Sequence, residues 1–376
     1  MVATASLVVA AGAVAGVLAA FDDRRAPNEA APPQVSASPH PVPLPAVPSS
    51  SAPAADPSAT PSPSPTARRT RSSAPPRTEK KRERTTTVAG RLYRHPDSQV
   101  LEWVRSHAGD PRQAVIASRI AEQPAAVWFA DYSPQTVTAR VAAVTSGGAA
   151  LGRVPVVVPY AIPGRDCGGH SQGGAPDLDA YDAWIDRFAA GLGSGEVVVV
   201  LEPDSVAQTE CLSAGDRADR FASLARAGRV LKAANPRARV YFDAGHSGWN
   251  APGKQAAWLR QAGAASPEAS DGIFSNVSNF HTTADEVAYD RRVLDALGGP
   301  ASLGAVIDTS RNGNGAPPDG QWCDPAGRAL GRSPTLTTGE ARIDAYLWVK
   351  LPGESDGCKG SPGTFTASYA YDLASS

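Results

Sequence analysis

Only four of the 376 residues are cysteine, and no two of them stand at the close spacing of a thiolate metal site, so zinc-finger chemistry drops out. Aromatic and branched apolar side chains are almost missing from Ala26 to Thr66, where Pro, Ser and Ala dominate. Such a stretch cannot bury enough surface to fold, and it reads as an extended linker, partly polyproline II. No internal repeat is visible. The formal net charge of −1 hides an imbalance: residues 1–91 carry 11 Lys or Arg against 6 Asp or Glu, leaving 25 basic and 31 acidic residues beyond them. An acidic body without a basic stripe repels phosphate backbones, so no nucleic-acid partner is expected.

Charge is also missing from residues 2–21, which are long enough to cross a bilayer as a helix. They read as a secretory signal or as an uncleaved anchor, and the possible membrane tether stays open. Arg24 and Arg25 come after the apolar run and none precedes it, which by the positive-inside rule opposes export of the C-terminal side. The basic run from Arg68 to Arg84 reads as a solvated spacer. The expected organisation is a signal or anchor over 1–25, a linker over 26–91 and a folded domain over 92–376.

What is present centres on V-V-V-V-L-E-P-D-S-V-A, residues 197–207. Five apolar residues in a row, four of them β-branched, suit a strand covered on both faces, and Pro203 ends the ladder for want of an N–H. Glu202 and Asp204 then sit at the strand's C-terminal end, where parallel sheets present ligand-binding groups. Apolar runs and amphipathic segments alternate along the rest. Helices are expected over 98–107, 114–122, 134–145, 179–192, 215–234, 253–262 and 283–297. Strands are expected over 126–130, 154–160, 197–201, 239–243, 272–276, 302–308 and 345–349. About seven or eight β-α units of this length imply an α/β fold with a parallel sheet closed into a barrel.

Acidic residues recur just past the strand ends. Asp166 lies in the glycine-rich stretch A-I-P-G-R-D-C-G-G-H-S-Q-G-G, Asp243 opens D-A-G-H-S-G-W-N with His246 and Trp249, and L-W-V-K-L-P-G-E-S-D-G-C supplies Lys350, Glu354 and Asp356. One such carboxylate is usually structural; four, interleaved with Trp and Lys, read as a site at the barrel mouth.

The ordered pieces Y-A-I-P-G-R-D-C-G-G, V-V-L-E-P-D-S-V-A, Y-F-D-A-G-H-S-G-W, I-D-T-S-R-N-G-N-G, W-C-D-P-A-G-R-A-L-G and W-V-K-L-P-G-E-S-D-G-C resemble the glycoside hydrolases of family 6, inverting endoglucanases and cellobiohydrolases acting on β-1,4-glucan. The resemblance spans essentially all of 92–376. It implies a modified, partly open parallel barrel with a cleft on its C-terminal face, without the large insertions that roof a cellobiohydrolase tunnel. It makes Asp204 the general acid, Asp166 its supporting carboxylate, Asp356 the residue debated as catalytic base and Tyr160 the ring that crowds the distorted sugar. Trp128, Trp249 and Trp322 match sugar platforms, Lys350 and Glu354 bind hydroxyls, and Asp243, His246 and Asn279 complete the expected substrate-binding set. Trp103, Trp184 and Trp258 lie in helical patterns and are expected to pack in cores.

Four cysteines allow three pairings. The resemblance selects Cys167 with Cys211 and Cys323 with Cys358, implying an oxidising, exported compartment. No metal or cofactor is expected, and the partner is a β-1,4-glucan met by a monomer, secreted or tethered outside the cell membrane. The competing readings are an exo-acting cellobiohydrolase, a glucan-binding wall protein without turnover, and a metal-dependent hydrolase using Asp243 and His246.

Overall fold

The structure, a computed structural model, describes residues 91–376. The expected signal or anchor and the linker lie outside the described residues, apart from Arg91. Among the described residues no helix is long and apolar enough to cross a membrane.

The chain opens with β1 (Arg91–Leu92), α1 (Gln99–Ser106) and α2 (Gln113–Ile116), the last continued as a wider π-turn over Ala117–Ala121. Next come β2 (Val127–Phe129), α3 (Val137–Ala150), β3 (Arg153–Val154), β4 (Val156–Pro159) and α4 (Leu178–Ala190). The centre holds β5 (Val197–Leu201), α5 (Ala214–Ala234), β6 (Ala238–Asp243), α6 (Pro252–Gln261) and β7 (Gly272–Ser275). Last are α7 (Thr283–Leu297), β8 (Gly304–Asp308), β9 (Ile343–Leu347) and α8 (Ala367–Ser375).

Seven strands pair in parallel in the order β2-β4-β5-β6-β7-β8-β9. Because spatial order follows chain order, the sheet coils in one direction. Its first and last strands share no ladder; the Ala126 N–H donates to Trp348 O at 2.9 Å, and Trp128 Nε1 to Val349 O at 2.8 Å. The result is a curled, partly open barrel and not the closed one that the count of β-α units implied, because β2 and β9 meet through single bonds and not a ladder.

The unbroken V-V-V-V-L run is explained by its two covered faces. Val198 and Val200 point inward with Val158, Tyr241, Phe274, Val306 and Leu347. Val197, Val199 and Leu201 point outward against Phe188 of α4 and Phe221, Leu224 and Leu231 of α5. Side-chain caps fix where the covering helices start: Asp177 accepts from Ala180 N, Ser213 from Asp216 N and Thr282 from Asp285 N. The open seam is covered by a third cluster, in which Val100, Ile116 and Ile120 pack with Trp348, Leu351, Ala370 and Ala374.

Several boundaries differ from expectation for local reasons. The strand expected over 154–160 is divided at Pro155, which has no N–H to donate; β3 pairs with β1, and only β4 joins the barrel. The helix expected over 114–122 has one α-turn before it widens. The last strand ends at Leu347, two residues early, because Trp348 turns into the seam cluster. β1 and α8 were not expected at all, since two residues are too few for a pattern and α8 is held by burial of Tyr369, Ala370, Leu373 and Ala374.

Cys167 is bonded to Cys211 and Cys323 to Cys358, across sequence separations of 44 and 35 residues. Closing loops of that length restricts the unfolded chain, so reduction should lower stability by roughly 2–5 kcal/mol per bond. Denaturation with and without reductant measures this, and intact-mass analysis of unreduced protein should find no free thiol; a free thiol in exported, active protein would overturn the pairing.

Candidate active site

The mouth of the barrel is built on buried carboxylates that accept backbone N–H groups from neighbouring loops. Glu202, just past β5, takes the Ala161 N–H at 2.8 Å and the Ile162 N–H at 3.0 Å. Asp243, at the end of β6, reaches back to Val206 N (3.0 Å) and Ala207 N (2.7 Å) beyond β5. Asp308, at the end of β8, binds Lys350 N (3.0 Å) and Ser310 N (2.9 Å). Asp324 takes the N–H groups of Asp356, Cys358 and Lys359 at 2.7, 3.0 and 2.8 Å. Each acid thereby sets the height of a loop next to its own.

The backbone here is held in conformations that L residues avoid. Asp166, Cys167, Glu202, Asp204, Asn276, Ser278 and Asp324 all have positive φ, and among described non-glycine residues only Arg342 joins them. Positive φ costs of order 1–3 kcal/mol each and persists where surrounding bonds over-determine it. The N–H clamps and the disulfide at Cys167 are those bonds.

Asp204 emerges into the cleft from this strained turn. Burial, then the charges of Asp243 and Asp166, push its carboxyl up to about 8, so it keeps its proton near neutrality. Tyr160 stands beside it, its hydroxyl 3.5 Å from Asp204 Oδ2, with Trp128 edge-on to the phenol at 5.2 Å and Arg165 over the ring at 4.3 Å. Arg165 also donates to Ala130 O and Ser171 O, and Asp166 Oδ2 accepts from Ser171 N at 2.7 Å, which pins the loop carrying Asp166.

Across the cleft, Asp356 pairs with the wholly buried Arg311 at 2.8 Å and with Lys350 at 3.4 Å. Its Oδ2 also accepts from Asp324 N at 3.1 Å. Lys350 Nζ donates to Ser355 O at 3.0 Å. Burial pushes the neighbouring Glu354 carboxyl up to about 7, against the pull of Lys350 and Arg311. For Asp324 burial acts upward too, yet hydrogen bonds from Ser355 Oγ and the Asp356, Lys359 and Cys358 N–H groups win and hold it below its ordinary value.

A cleft of about 1760 Å³ is lined by Trp128, Tyr160, Asp166, Asp204, His246, Trp249, Asn279, Trp322, Lys350, Glu354 and Asp356. That exceeds the 300–1,000 Å³ or so of a pocket for one small ligand and suits a chain of linked rings. Trp322 is 51% exposed at the rim, as a platform for a flat apolar face must be. His246 stacks on His281 at 4.3 Å and leans on Trp249 at 5.2 Å; burial and then His281 push its imidazole down to about 3, leaving it neutral. Trp184 is fully buried, and Trp103 and Trp258 pack against core clusters.

One expected substrate-binding residue does not reach the cleft. Asp243 is 2% exposed and its oxygens face Val206, Ala207 and Gly245, so it lies beneath the turn that carries Asp204. The same geometry removes the Asp243–His246 metal reading, because the Asp243 oxygens are taken by backbone N–H groups. Ligand atoms of His170, Cys323 and Cys358 lie within 4.8 Å of one another, but both sulfurs are spent in a disulfide. Arg311, Asp324 and Asp308 are not among the site residues expected from the sequence. All three stand inside the family-like pieces I-D-T-S-R-N-G-N-G and W-C-D-P-A-G-R-A-L-G, but nothing local marks which carboxylate a buried Arg will meet.

Residues 83–374 match the model of the glycosyl hydrolases family 6. Endoglucanase 1 of Streptomyces sp. (strain KSM-9) is 53% identical over 284 residues, covering 75% of this chain and 77% of that protein. Endoglucanase A of Thermobispora bispora is 49% identical over 284 residues, covering 75% and 61%. Among solved structures, the endoglucanase Cel6 from Mycobacterium tuberculosis, in complex with a methyl-cellobiosyl-thio-cellobioside, aligns with a TM-score of 0.70 at 39% identity, covering 76% of this chain and 97% of that one. With its barrel, its cleft and a family match over most of its length, the chain belongs to glycosyl hydrolase family 6.

Proposed function

We propose that the domain is an exported endo-β-1,4-glucanase that hydrolyses cellulose or a related glucan with inversion, Asp204 being the general acid. The observation that carries this is a carboxyl, Asp204, in a cleft of chain-binding size, with Asp166 and Tyr160 beside it and tryptophans along the walls; burial and the charges of Asp243 and Asp166 push it up to about 8. The Streptomyces and Thermobispora relatives are endoglucanases, and the ligand in the Cel6 complex is built of cellobiosyl units, which supports a β-1,4-glucan substrate and internal attack. The two disulfides support an oxidising destination. Residues 2–21 would serve as export signal or tether, and the domain would act as a monomer.

In the proposed reaction a glucosyl ring sits against Tyr160, and Asp204 protonates the glycosidic oxygen as the bond breaks. Water attacks the anomeric carbon from the opposite face in the same step. Both oxygens of Asp356 are engaged, Oδ2 by Arg311 and Asp324 N, Oδ1 by Lys350. That favours release of the water's proton through a water chain on the Asp166 side over direct capture by Asp356. Asp356 then serves by fixing Lys350 at the cleavage point.

Three measurements test this. Asp204→Asn should lower turnover on β-1,4-glucan by about 10²-fold or more, and less on aryl glycosides whose leaving group needs no proton; equal losses on both would contradict the acid role. Because Asp204 must be protonated, kcat/KM should fall as pH rises through about 8, where its folded-state carboxyl ionises. An alkaline limb unchanged in residual activity of Asp204→Asn would assign that ionisation elsewhere. Single displacement at a β-bond releases the α-anomer, so proton NMR of a fresh cellooligosaccharide digest should show α-product before mutarotation. The β-anomer appearing first would sink the inverting assignment.

A further inference from the structure

Behind the wall formed by His246 and Trp249 lies a pair of carboxyls that the proposed reaction does not use. Glu286 and Asp290 stand four residues apart on α7, on one face of the helix, and both are 0% exposed. One oxygen of each has a donor: Glu286 Oε1 accepts the Ser247 N–H at 2.8 Å, and Asp290 Oδ2 accepts from Ser275 Oγ at 3.0 Å. The second oxygen of each, Glu286 Oε2 and Asp290 Oδ1, is buried without a donor. Among the described residues no Lys or Arg forms an ion pair with either. The charged and titratable groups on the segments around them are His246 and His281 on the cleft side, Asp285, Tyr289, Arg291, Arg292 and Asp295 on α7, Lys254 and Arg260 on α6, Asp243 on β6 and Asp308 on β8; the Tyr289 hydroxyl is already given to Ala244 O at 2.9 Å.

Two adjacent anions without a counter-charge are not tolerated in such a place, and two orphaned acceptors are both satisfied when one carboxyl keeps its proton and donates it to the other. We propose that Glu286 and Asp290 share one proton and together position the substrate-binding wall, Asp290 donating to Glu286 while Glu286 holds the Ser247 N–H between His246 and Trp249. Burial supports this by pushing Glu286 up to about 7, while burial and the charge of Glu286 push Asp290 up as well. Ser247 has its two neighbours in the cleft wall within two residues, so the height of its N–H sets where the imidazole and the indole meet a sugar ring. The role rests on reading that wall as glucan-binding, but the shared proton itself does not.

The test uses the full chain carrying Asp204→Asn, which slows turnover and removes the titration of Asp204, with cellotetraose binding followed by calorimetry. Adding Glu286→Ala should weaken binding about 10-fold, because the Ser247 segment loses the acceptor that fixes it between His246 and Trp249. Adding Glu286→Gln should change it by no more than about 2-fold, since the amide oxygen still accepts from Ser247 and its NH₂ donates to Asp290. Glu286→Gln binding as weakly as Glu286→Ala, or Glu286→Ala binding like its parent with an unchanged circular dichroism spectrum, would overturn the positioning role. Independently of any sugar, the infrared difference between ligand-free parent and Asp290→Asn at pH 7 should contain the C=O band of one un-ionised carboxyl. Its absence would overturn the shared proton even if Glu286→Ala fails to fold. Failure of the intact enzyme to bind or cleave any cellooligosaccharide would instead strike the glucanase reading, and the infrared band would still decide whether the proton is shared.

Discussion

The mouth of this barrel depends on carboxylates that face backbone and not solvent. A parallel strand ends with its loop's N–H groups unpaired, and a buried unpaired N–H costs roughly 1–3 kcal/mol. Glu202, Asp243, Asp308 and Asp324 meet that need, each gathering two or three such groups from adjoining loops. Through these bonds the Asp166 loop is tied to β5, the Asp204 turn to β6, and the Lys350–Asp356 segment to β8 and the Asp324 loop. Without them the run of positive-φ residues around Asp204 would relax, since nothing in an L residue favours that conformation.

Protonation of carboxyls at this mouth also bears on stability. Asp204 is raised above its ordinary value, so the folded state holds its proton more tightly than the unfolded chain does. Its contribution is fully favourable below the usual carboxylate range and is lost as pH rises toward about 8. Asp324 has the opposite sign: its lowered carboxyl contributes above the unfolded value and loses that contribution on acidification. At neutral pH the Asp204 side of the cleft has thus lost part of that contribution, while Asp324 keeps its own. Disulfides at Cys167 and Cys323, next to Asp166 and Asp324, help to hold the two sides.

Much of this was legible in the chain. The run Val197–Leu201 announced a doubly covered strand because five adjacent apolar residues admit no solvated face, and Pro203 announced where it stopped. Alternation of short apolar runs with amphipathic segments indicated the β-α units, and the sites of Asp204, Asp166 and Tyr160 came from ordered motifs at strand ends. Those inferences work because local pattern reports burial directly. Boundaries were less legible where long-range packing decided them: Trp348 leaves β9 for a cluster with α1, α2 and α8, contacts that lie more than two hundred residues apart for α1.

The sequence by itself determined the fold class, the strand that organises it, and a pool of carboxylates at the strand ends, since hydrophobic patterning and the chemistry of Pro and Asp are properties of the local chain. Which carboxylate faces the cleft and which faces backbone was decided only by tertiary structure. Asp243 and Asp204 look alike in sequence, each coming after an apolar strand, yet one is turned under the other to accept Val206 and Ala207 N–H groups. Arg311 meeting Asp356, and Glu286 meeting the Ser247 N–H behind a cleft wall, were decided the same way. Their partners are set by the register of β8 against β9 and by the packing of α7 on β7, long-range geometry that determines desolvation and with it which group keeps a proton.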